Sequence, residues 1–293
     1  MGALDGKVAL VTGASQSIGL ASARALARDG AAVVIMGRGK GGLERARDDL
    51  RQSLPGARIE MFAGDACDED QLRAALAFAH GLQGRLDILV ATVGGAVMQP
   101  ILMRDVASVR QEMEVNYIST FLMVRHGAPL LPRGGSIVCV SSVASVQAGW
   151  GMALYGATKA AVEKLVRGAA FELGGAGVRI NAVRPGMTVE ASVLEDPAQA
   201  RGYDGFAAQT PLGRVGVSED IAGAVRFLAG PESGWVTGQS FSVDGGLEQG
   251  SQPDMMDAVF GKPAMDRIRA GQPLDPQADI PVLASTSLRP PST

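Results

Sequence analysis

Cysteine and histidine are scarce in this chain, which limits the kinds of site it can build. Its 293 residues contain 2 cysteines and 2 histidines, so both a zinc-type ligand spacing and a disulfide framework are excluded. A chain that depends on no disulfides is typical of a reducing compartment, and we expect a cytoplasmic location.

Long apolar runs and clusters of one charge are missing as well. No stretch approaches the ~20 residues that span a bilayer, and the opening MGALDGKVALVTG lacks the layout of a secretory signal. Gly6 stands where a myristoylation signal needs Ser or Thr. The net charge is −3 with no Lys/Arg run, so we expect a small molecule as partner, and neither a membrane nor a nucleic acid.

Hydrophobic residues, at 46%, are abundant enough for a large core. Short β-rich apolar runs alternate with helical patterns, and the runs are continuous, which is typical of parallel strands covered on both faces. This pattern predicts the α/β class and a single Rossmann-like doubly wound domain. The predicted strands are Val8–Val11, Ala32–Met36, Ile59–Phe62, Leu86–Val90, Ser136–Val140, Arg179–Val183 and Ser240–Val243. The predicted helices are 18–29, 41–53, 69–82, 104–130, 154–173 and 218–229.

One domain is predicted for residues 1–246 and a proline-rich C-terminal arm for residues 247–293. The arm holds 7 of the 15 prolines and two short helical patterns, Asp254–Phe260 and Pro263–Ala270. Two interpretations stay open. The arm is either a plain surface segment, or its apolar residues cover a neighbouring subunit or the mouth of the active site.

The segment VALVTGASQSIGLASARAL has the layout of a strand, a turn and a helix. Gly13 permits the tight bend, and Gly19 lets the helix pack closely on the strand, so that the first helix amides face an anion such as a pyrophosphate. Ser15 and Ser17 add hydroxyl donors. An ordinary strand–helix turn is the alternative.

The end of the second predicted strand bears on which dinucleotide binds. An acidic residue there accepts hydrogen bonds from a ribose 2′-hydroxyl, but this chain has Gly37 followed by Arg38. A guanidinium suits a 2′-phosphate, so NADP(H) is favoured and NAD(H) stays open, unless Arg38 is only a solvated loop cation. Asp65 is expected either to accept from an adenine amino group or to cap the next helix.

Tyr155 and Lys159 lie four residues apart in LYGATKAAVEKL and so share one helix face. Ser142 directly follows the fifth predicted strand, at the edge where parallel sheets bind ligands. This set predicts hydride transfer with a nicotinamide, in which Tyr155 moves the proton and Ser142 holds the substrate oxygen. Because an ammonium about 4 Å away favours phenolate, we expect Lys159 to lower the pKa of Tyr155 from ~10 toward neutrality. A purely structural Tyr–Lys pair is the alternative.

Together these motifs resemble the short-chain dehydrogenase/reductase family, in particular its 3-oxoacyl reductase-like branch. TGASQSIG is similar to the family's TGxxxGxG turn, YGATK to its YxxxK motif, and PLGRVGVSEDIAGAVRFLAGPESGWVTGQSFSVDGG to its C-terminal signature. The likeness covers residues 5–246. It implies the strand order 3-2-1-4-5-6-7 and a homotetramer or homodimer assembled through the helices at 104–130 and 154–173.

The resemblance also implies further site residues. Asn116, in VNYIST, would complete a catalytic tetrad with Ser142, Tyr155 and Lys159 by holding a water that links the lysine to solvent. The segment RINAVRPGMT would contact the nicotinamide end. The full set of expected cofactor-binding residues is Gly13, Ser15, Ser17, Ile18, Gly19, Arg38, Asp65, Ala66, Thr92, Val93, Gly94, Tyr155, Lys159, Pro185, Gly186 and Thr188.

Three positions depart from the family pattern. Ser17 replaces the middle glycine of the turn, so its side chain must point away from a pyrophosphate or bond to it. The family's NNAG segment is Ala91-Thr92-Val93-Gly94 here, which loses hydrogen bonds worth ~1 kcal/mol each unless Thr92 recovers one. Gln16 stands where many NADP-using relatives carry a basic residue, which weakens the preference for NADP(H).

The loop at 187–210 is predicted to act as a lid over a mostly apolar pocket. The expected lining is Met187, Val193, Leu194, Tyr203 and Phe206 from the lid, with Val143, Gln147, Trp150 and Met152 from the segment after Ser142. The expected substrate contacts are Ser142, Gln147, Trp150, Tyr155 and Met187. A core or subunit-contact role for half of the lining stays open. Glu190 and Glu195 disfavour a substrate that carries a carboxylate.

The leading hypothesis is an NAD(P)(H)-dependent oxidoreductase that acts on the CH–OH group of an apolar secondary alcohol or on the matching ketone. One alternative is a non-catalytic nucleotide-binding or scaffold protein of the same fold, suggested by Ser17 and the altered NNAG segment. Another is an epimerase or dehydratase that passes through a transient ketone.

Overall fold

Seven parallel strands form the main sheet of the computed structural model, which describes residues 2–250 and 262–272. They are β1 Val8–Thr12, β2 Ala32–Gly37, β3 Ile59–Ala63, β4 Ile88–Ala91, β5 Ser136–Val140, β6 Arg179–Pro185 and β9 Ser240–Val243, while β7 Thr188–Val189 and β8 Gly216–Val217 pair separately. Every residue of β1, β4 and β5 is buried, as expected of a sheet covered on both faces. The order β3-β2-β1-β4-β5-β6-β9 confirms the predicted doubly wound fold.

Helices of the first 250 residues cover the two faces of this sheet. The helices of this part are α1 Ser17–Arg28, α2 Lys40–Ser53, α3 Glu69–Gly81, α4 Val106–Met113, α5 Ser119–Gly127, α6 Ala153–Leu173, α7 Ala191–Glu195, α8 Pro197–Ala200, α9 Asp204–Gln209 and α10 Ser218–Ala229. A further helix, α11 Lys262–Arg269, lies later in the chain. On one face α3 and α6 bury Leu76 and Val166, and on the other α1, α2 and α10 bury Leu26, Leu50 and Ile221. The three layers hold the carboxyl ends of the strands along one edge.

The predicted helix 104–130 contains an irregular turn. Asp105 accepts a hydrogen bond from the Ser108 amide at 2.8 Å, and this cap makes the helix begin at Val106. The α-helical path is then interrupted by a π-helical turn at Glu114–Ile118. Such turns are frequent at functional sites, and this one contains Asn116.

The fourth strand begins at Ile88, not at the predicted Leu86. The reason is Asp87, whose carboxylate accepts from the Val8 amide at 3.0 Å and pairs with Lys7 and Arg85. The Asp87 side chain therefore adds to the backbone hydrogen bonds that its amide makes with Val8 and its carbonyl with Ser136 at the entry to this strand.

Residues 1–250 form one compact unit and residues 251–293 a second. The first extends past the predicted boundary at 246 because Leu247 is buried and Glu248 pairs with Arg184 at 2.7 Å. In the second unit the helical pattern at Pro263–Ala270 is confirmed as α11, and the pattern at Asp254–Phe260 lies outside the described residues. Among the described residues, no helix is both long enough and apolar enough to cross a membrane.

Candidate active site

A cavity of about 1210 Å³ opens along the carboxyl edge of the sheet. The turn after β1 forms one part of the cavity wall. The start of α6 and the end of β6 form another part. Of the residues predicted to be catalytic, to bind the cofactor or to contact the substrate, all but Asn116 line this one cavity. They are Gly13, Ser15, Ser17, Ile18, Gly19, Arg38, Asp65, Ala66, Thr92, Val93, Gly94, Ser142, Gln147, Trp150, Tyr155, Lys159, Pro185, Gly186, Met187 and Thr188.

The turn after β1 has the shape that its glycines predict. Gly13 has a φ of +64°, and a Cβ on Gly19 would lie 2.4 Å from the Gly13 carbonyl oxygen, so the helix packs against the bend. Ser17 has a φ of +50° and is the one non-glycine residue with a positive φ in the described part of the chain. Serine thus keeps the left-handed backbone of the glycine it replaces, at a cost of about 1 kcal/mol.

Thr92 occupies the place of a family asparagine and bridges two strand ends. Its hydroxyl donates to the Thr12 carbonyl at 2.5 Å, which ties the end of β4 to the end of β1. The hydroxyl oxygen would lie 2.7 Å from a Cβ on Gly13 and 2.8 Å from one on Gly19, so it fills the space beside both glycines. Thr92 therefore recovers one of the hydrogen bonds that the altered segment was expected to lose.

Gly37, Arg38 and Asp65 line the cavity at the ends of β2 and β3. The expectation that Asp65 caps the following helix is wrong, because Asp68 is the cap and accepts from the Gln71 amide at 3.0 Å. Asp65 instead accepts from the Cys67 amide at 3.0 Å, and this turn leaves it on the cavity wall.

Ser142, Tyr155 and Lys159 meet where β5 ends and α6 begins. Ser142 lies within hydrogen-bonding reach of the Tyr155 hydroxyl. The Lys159 ammonium lies 5.7 Å from the centre of the Tyr155 ring and donates to the Val140 carbonyl at 3.0 Å. Lys159 is 2% exposed, so its charge sits in the protein interior behind the phenol.

The pKa values of this pair differ from our expectation. Burial raises the pKa of Tyr155 above its ordinary value, the hydrogen bond with Ser142 offsets part of the rise, and the charge of Glu112 adds to it. Burial also lowers the pKa of Lys159 to about 8. In this structure desolvation of the phenol prevails, and the Lys159 ammonium, which is bonded to the Val140 carbonyl, does not by itself lower the pKa of Tyr155.

Asn116 lies behind this wall and is completely buried. Its Oδ1 accepts from the Gly95 amide at 2.9 Å, and its Nδ2 donates to the Gly95 carbonyl at 3.0 Å. A Cβ on Gly94 would lie 2.7 Å from Asn116 Oδ1 and 2.8 Å from Lys159 Nζ. Asn116, Gly94 and Lys159 are therefore packed together, as expected for members of one site.

A second buried cluster holds α6 against β6. Arg184 contacts both oxygens of Glu163, at 2.9 and 2.7 Å, and Ser141 and Ser145 donate to the same carboxylate at 2.7 and 2.6 Å. Burial opposes ionisation of Glu163, but these hydrogen bonds prevail and hold its pKa below the usual range. The cluster therefore connects the turn of α6 that follows Lys159 to β6, the strand that ends at Pro185.

Comparison with known proteins places the whole first unit in one family. The family model described as enoyl-(acyl carrier protein) reductase matches residues 13–248. L-rhamnose 1-dehydrogenase (NAD(P)(+)) of Sphingomonas sp. (strain SKA58) is 35% identical over 247 residues, 83% of this chain and 97% of that protein. The 3-oxoacyl-[acyl-carrier-protein] reductase of Thermotoga maritima is 34% identical over 253 residues, 83% of this chain and 98% of that protein.

A solved structure gives the same result. The short-chain dehydrogenase/reductase from Serratia marcescens BCRC 10948 superimposes with a TM-score of 0.78 at 31% identity, covering 84% of this chain and 99% of that chain. The chain belongs to the short-chain dehydrogenase/reductase family.

The substrate side of this short-chain dehydrogenase/reductase differs in part from the prediction. Met187, Phe206, Val143, Gln147, Trp150 and Met152 line the cavity as expected. Val193, Leu194 and Tyr203 do not, because the predicted lid forms β7 and short helices, in which Val193 and Leu194 lie on α7 and Tyr203 on the 3-10 turn before α9. The sequence analysis missed Ala96, Met98, Gln209 and Leu247, which come from segments without a motif.

The close packing around Gly94 can be tested by substitution. We expect Gly94→Ala to displace Lys159 or Asn116, to lower the free energy of unfolding by about 1–3 kcal/mol and to reduce turnover. Urea unfolding and initial rates measure the two effects. Gly95→Ala is the matched control, because a Cβ there meets no atom within 4 Å. Equal effects of the two substitutions would contradict the packing described for Gly94.

Proposed function

We propose that the protein is an NAD(P)(H)-dependent oxidoreductase that transfers a hydride between the nicotinamide and an apolar secondary alcohol or ketone. The observation that supports this most is one continuous cavity. It joins the Gly13–Gly19 turn, suited to a pyrophosphate, to Ser142, Tyr155 and Lys159, suited to proton transfer. Its volume of about 1210 Å³ leaves room for a dinucleotide and a substrate together.

The residues along the cavity fit a bound dinucleotide. The first amides of α1 and the hydroxyls of Ser15 and Ser17 would hold the pyrophosphate. Asp65 and Ala66 would contact the adenine end, and the segments 92–94 and 185–188 the nicotinamide end. Hydride donation or acceptance is the chemistry that the nicotinamide supplies when bound.

Tyr155 is suited to supply the proton in ketone reduction. Its phenol is protonated at neutral pH, since its pKa lies above the ordinary value near 10, and it can donate this proton to the carbonyl oxygen as the alcohol forms. Ser142 would hold the same oxygen by a hydrogen bond and align it. Lys159, whose pKa is lowered to about 8, would lose or gain a proton within reach of physiological pH. We assign Asn116 the role of holding the segment at Gly95, beside this lysine.

Two alternatives receive less support. A non-catalytic scaffold was suggested by Ser17 and Thr92, but Ser17 keeps the turn's conformation and Thr92 restores a hydrogen bond. An epimerase or dehydratase would use the same residues, and it would consume no cofactor in net turnover.

An apolar substrate is favoured by the side chains at the mouth of the cavity. Met98 is 73% exposed and Trp150 is 93% exposed, and both line the cavity. Large apolar groups left open to solvent at a cavity mouth typically mark a binding surface for an apolar ligand. No Glu190 or Glu195 carboxylate lines this cavity, so these residues do not bear on the substrate's charge.

Substitution of Tyr155 tests the proposed reaction. With a panel of cyclic and aromatic ketones and either reduced cofactor, we expect Tyr155→Phe to lower turnover by about 10²- to 10⁴-fold, the usual contribution of a general acid. Dinucleotide binding, followed by the fluorescence of the reduced cofactor, should be retained. Tyr203→Phe is the control, because Tyr203 does not line the cavity. Turnover that survives in Tyr155→Phe would refute the role of the phenol.

Cofactor preference is tested at Arg38. We propose that NADP(H) is preferred, because Arg38 lines the cavity beside Gly37, where no carboxylate is present. We expect Arg38→Ala to weaken NADPH binding by about 10-fold or more, the scale of a charge-assisted bond, while NADH binding changes little. Lys40→Ala is the control, since that side chain is 73% exposed and does not line the cavity. Equal weakening of both cofactors would contradict the preference.

We also propose a cytoplasmic homodimer or homotetramer. Both cysteines are free thiols, which fits a reducing compartment. On the helices named for the subunit contact, Val106 is 65% exposed and Phe171 is 92% exposed, and such side chains suit an interface. Sedimentation velocity should show a dimer or tetramer that Phe171→Asp weakens. A monomeric wild-type protein would contradict this proposal.

A further inference from the structure

The chain leaves β4 as an exposed segment, residues 95–99, that pairs with no strand. Its backbone groups are nevertheless bonded at alternate residues. Gly95 is held through both its amide and its carbonyl by Asn116, and the Gln99 amide donates to the Gly151 carbonyl at 3.0 Å. Ala96 and Met98, between these points, line the cavity. The period of two in these anchors is that of an extended strand, and the anchored Gly95 lines the cavity together with Ala96 and Met98.

The middle anchor is a buried ion pair. The Val97 amide donates to Glu112 Oε1 at 3.2 Å, Arg104 donates to the Val97 carbonyl, and the two side chains contact each other at 3.0 Å. Their side chains are only 4% and 6% exposed, although Val97 itself is 57% exposed. A single ion pair therefore lies beneath the segment and binds both the backbone amide and the backbone carbonyl of Val97.

Helix geometry connects this pair to the catalytic site. Glu112 and Asn116 are four residues apart on the same helical run, so they share one face and bind Val97 and Gly95 in register. The charge of Glu112 also reaches Tyr155, where it adds to the rise in pKa that burial causes. Arg104 Nε and Glu112 Oε2 are buried without a hydrogen-bond partner among the described residues. An arrangement this costly indicates a role beyond stability, because apolar residues of similar volume would stabilise the fold as well.

We propose that Arg104 and Glu112 are positioning residues that clamp residues 95–99 as one wall of the substrate cavity, with Met98 as the specificity-determining side chain of that wall. The proposal rests on the proposed function for the identity of the reaction. The clamping of residues 95–99 itself does not depend on which reaction the protein catalyses.

The first test measures the clamp without turnover. Arg104→Leu/Glu112→Leu removes both charges together, so no uncompensated charge is left in the interior. Amide hydrogen exchange, followed residue by residue by NMR, should then speed up at Val97 by about tenfold or more, because its acceptor is gone. The Gly95 amide, still bonded to Asn116, should change little and serves as the internal reference. Arg24→Leu/Asp49→Leu, which removes a more exposed pair elsewhere, is the matched control. Unchanged exchange at Val97 in the folded double variant overturns the clamp.

The second test measures what the clamp does for the reaction, with a ketone that the wild-type enzyme reduces. The double variant should raise KM by about tenfold while kcat and the dissociation constant of NADPH stay within about threefold, because only the substrate wall is loosened. A purely structural pair would lower the unfolding midpoint and leave KM unchanged, which overturns the role in substrate positioning.

Met98→Ala provides a test that does not depend on the ion pair or on how well its double variant folds. With one small and one large ketone, the ratio of their kcat/KM values should change by about fivefold or more in favour of the larger ketone. An unchanged ratio overturns the assignment of Met98. If Val97 exchange responds as expected but the wild-type protein reduces no ketone, the clamp is supported and the proposed function is refuted.

Discussion

The burial of the Lys159 ammonium is the constraint on which the construction of the site depends. A charged group that is 2% exposed needs partners, because transfer of an unpaired charge into the protein interior is costly. The Val140 carbonyl supplies one partner, and Gly94 supplies space by having no side chain. The ends of β4 and β5, helix α6 and the π-helical turn must therefore meet at this point. Their meeting also sets the distance from the lysine to Tyr155.

The need to satisfy buried polar groups also explains the arrangement of the segments around the lysine. The segment after β4 pairs with no strand of the described residues. Asn116 and Glu112 from one helical run, together with Arg104 and the Gly151 carbonyl, satisfy its amides and carbonyls in place of a ladder. On the other side, Arg184 and Glu163 connect α6 to β6 through hydrogen bonds that leave neither charge alone. Both devices position cavity walls by polar contacts of defined direction, which apolar packing by itself does not provide.

Most of the fold and the centre of the site are predictable from the sequence, for identifiable reasons. Continuous apolar runs and Gly13, Gly19, Tyr155 and Lys159 carry local signals that do not depend on distant residues. The raised pKa of Tyr155 is not predictable, because it depends on burial that only the tertiary structure defines. The ion pair beneath Val97 is missed for a similar reason. Arg and Glu in an amphipathic pattern predict a solvated surface, whereas the tertiary structure buries both side chains beneath residues 95–99.

The two departures from the family motif show what the motif encodes. Ser17 adopts the left-handed backbone of a glycine, and Thr92 places a hydroxyl where an asparagine would otherwise bond, so the path of the main chain is preserved at both positions. A phosphate turn binds mainly through main-chain amides, which depend on that path more than on side-chain identity. Ser17 bears strain of about 1 kcal/mol in a turn whose flanking Gly13 and Gly19 pack tightly against each other and against Thr92. The motif is therefore better understood as a requirement for a backbone conformation and for free space than as a requirement for particular amino acids. A chain can depart from the motif wherever neighbouring residues keep that conformation in place.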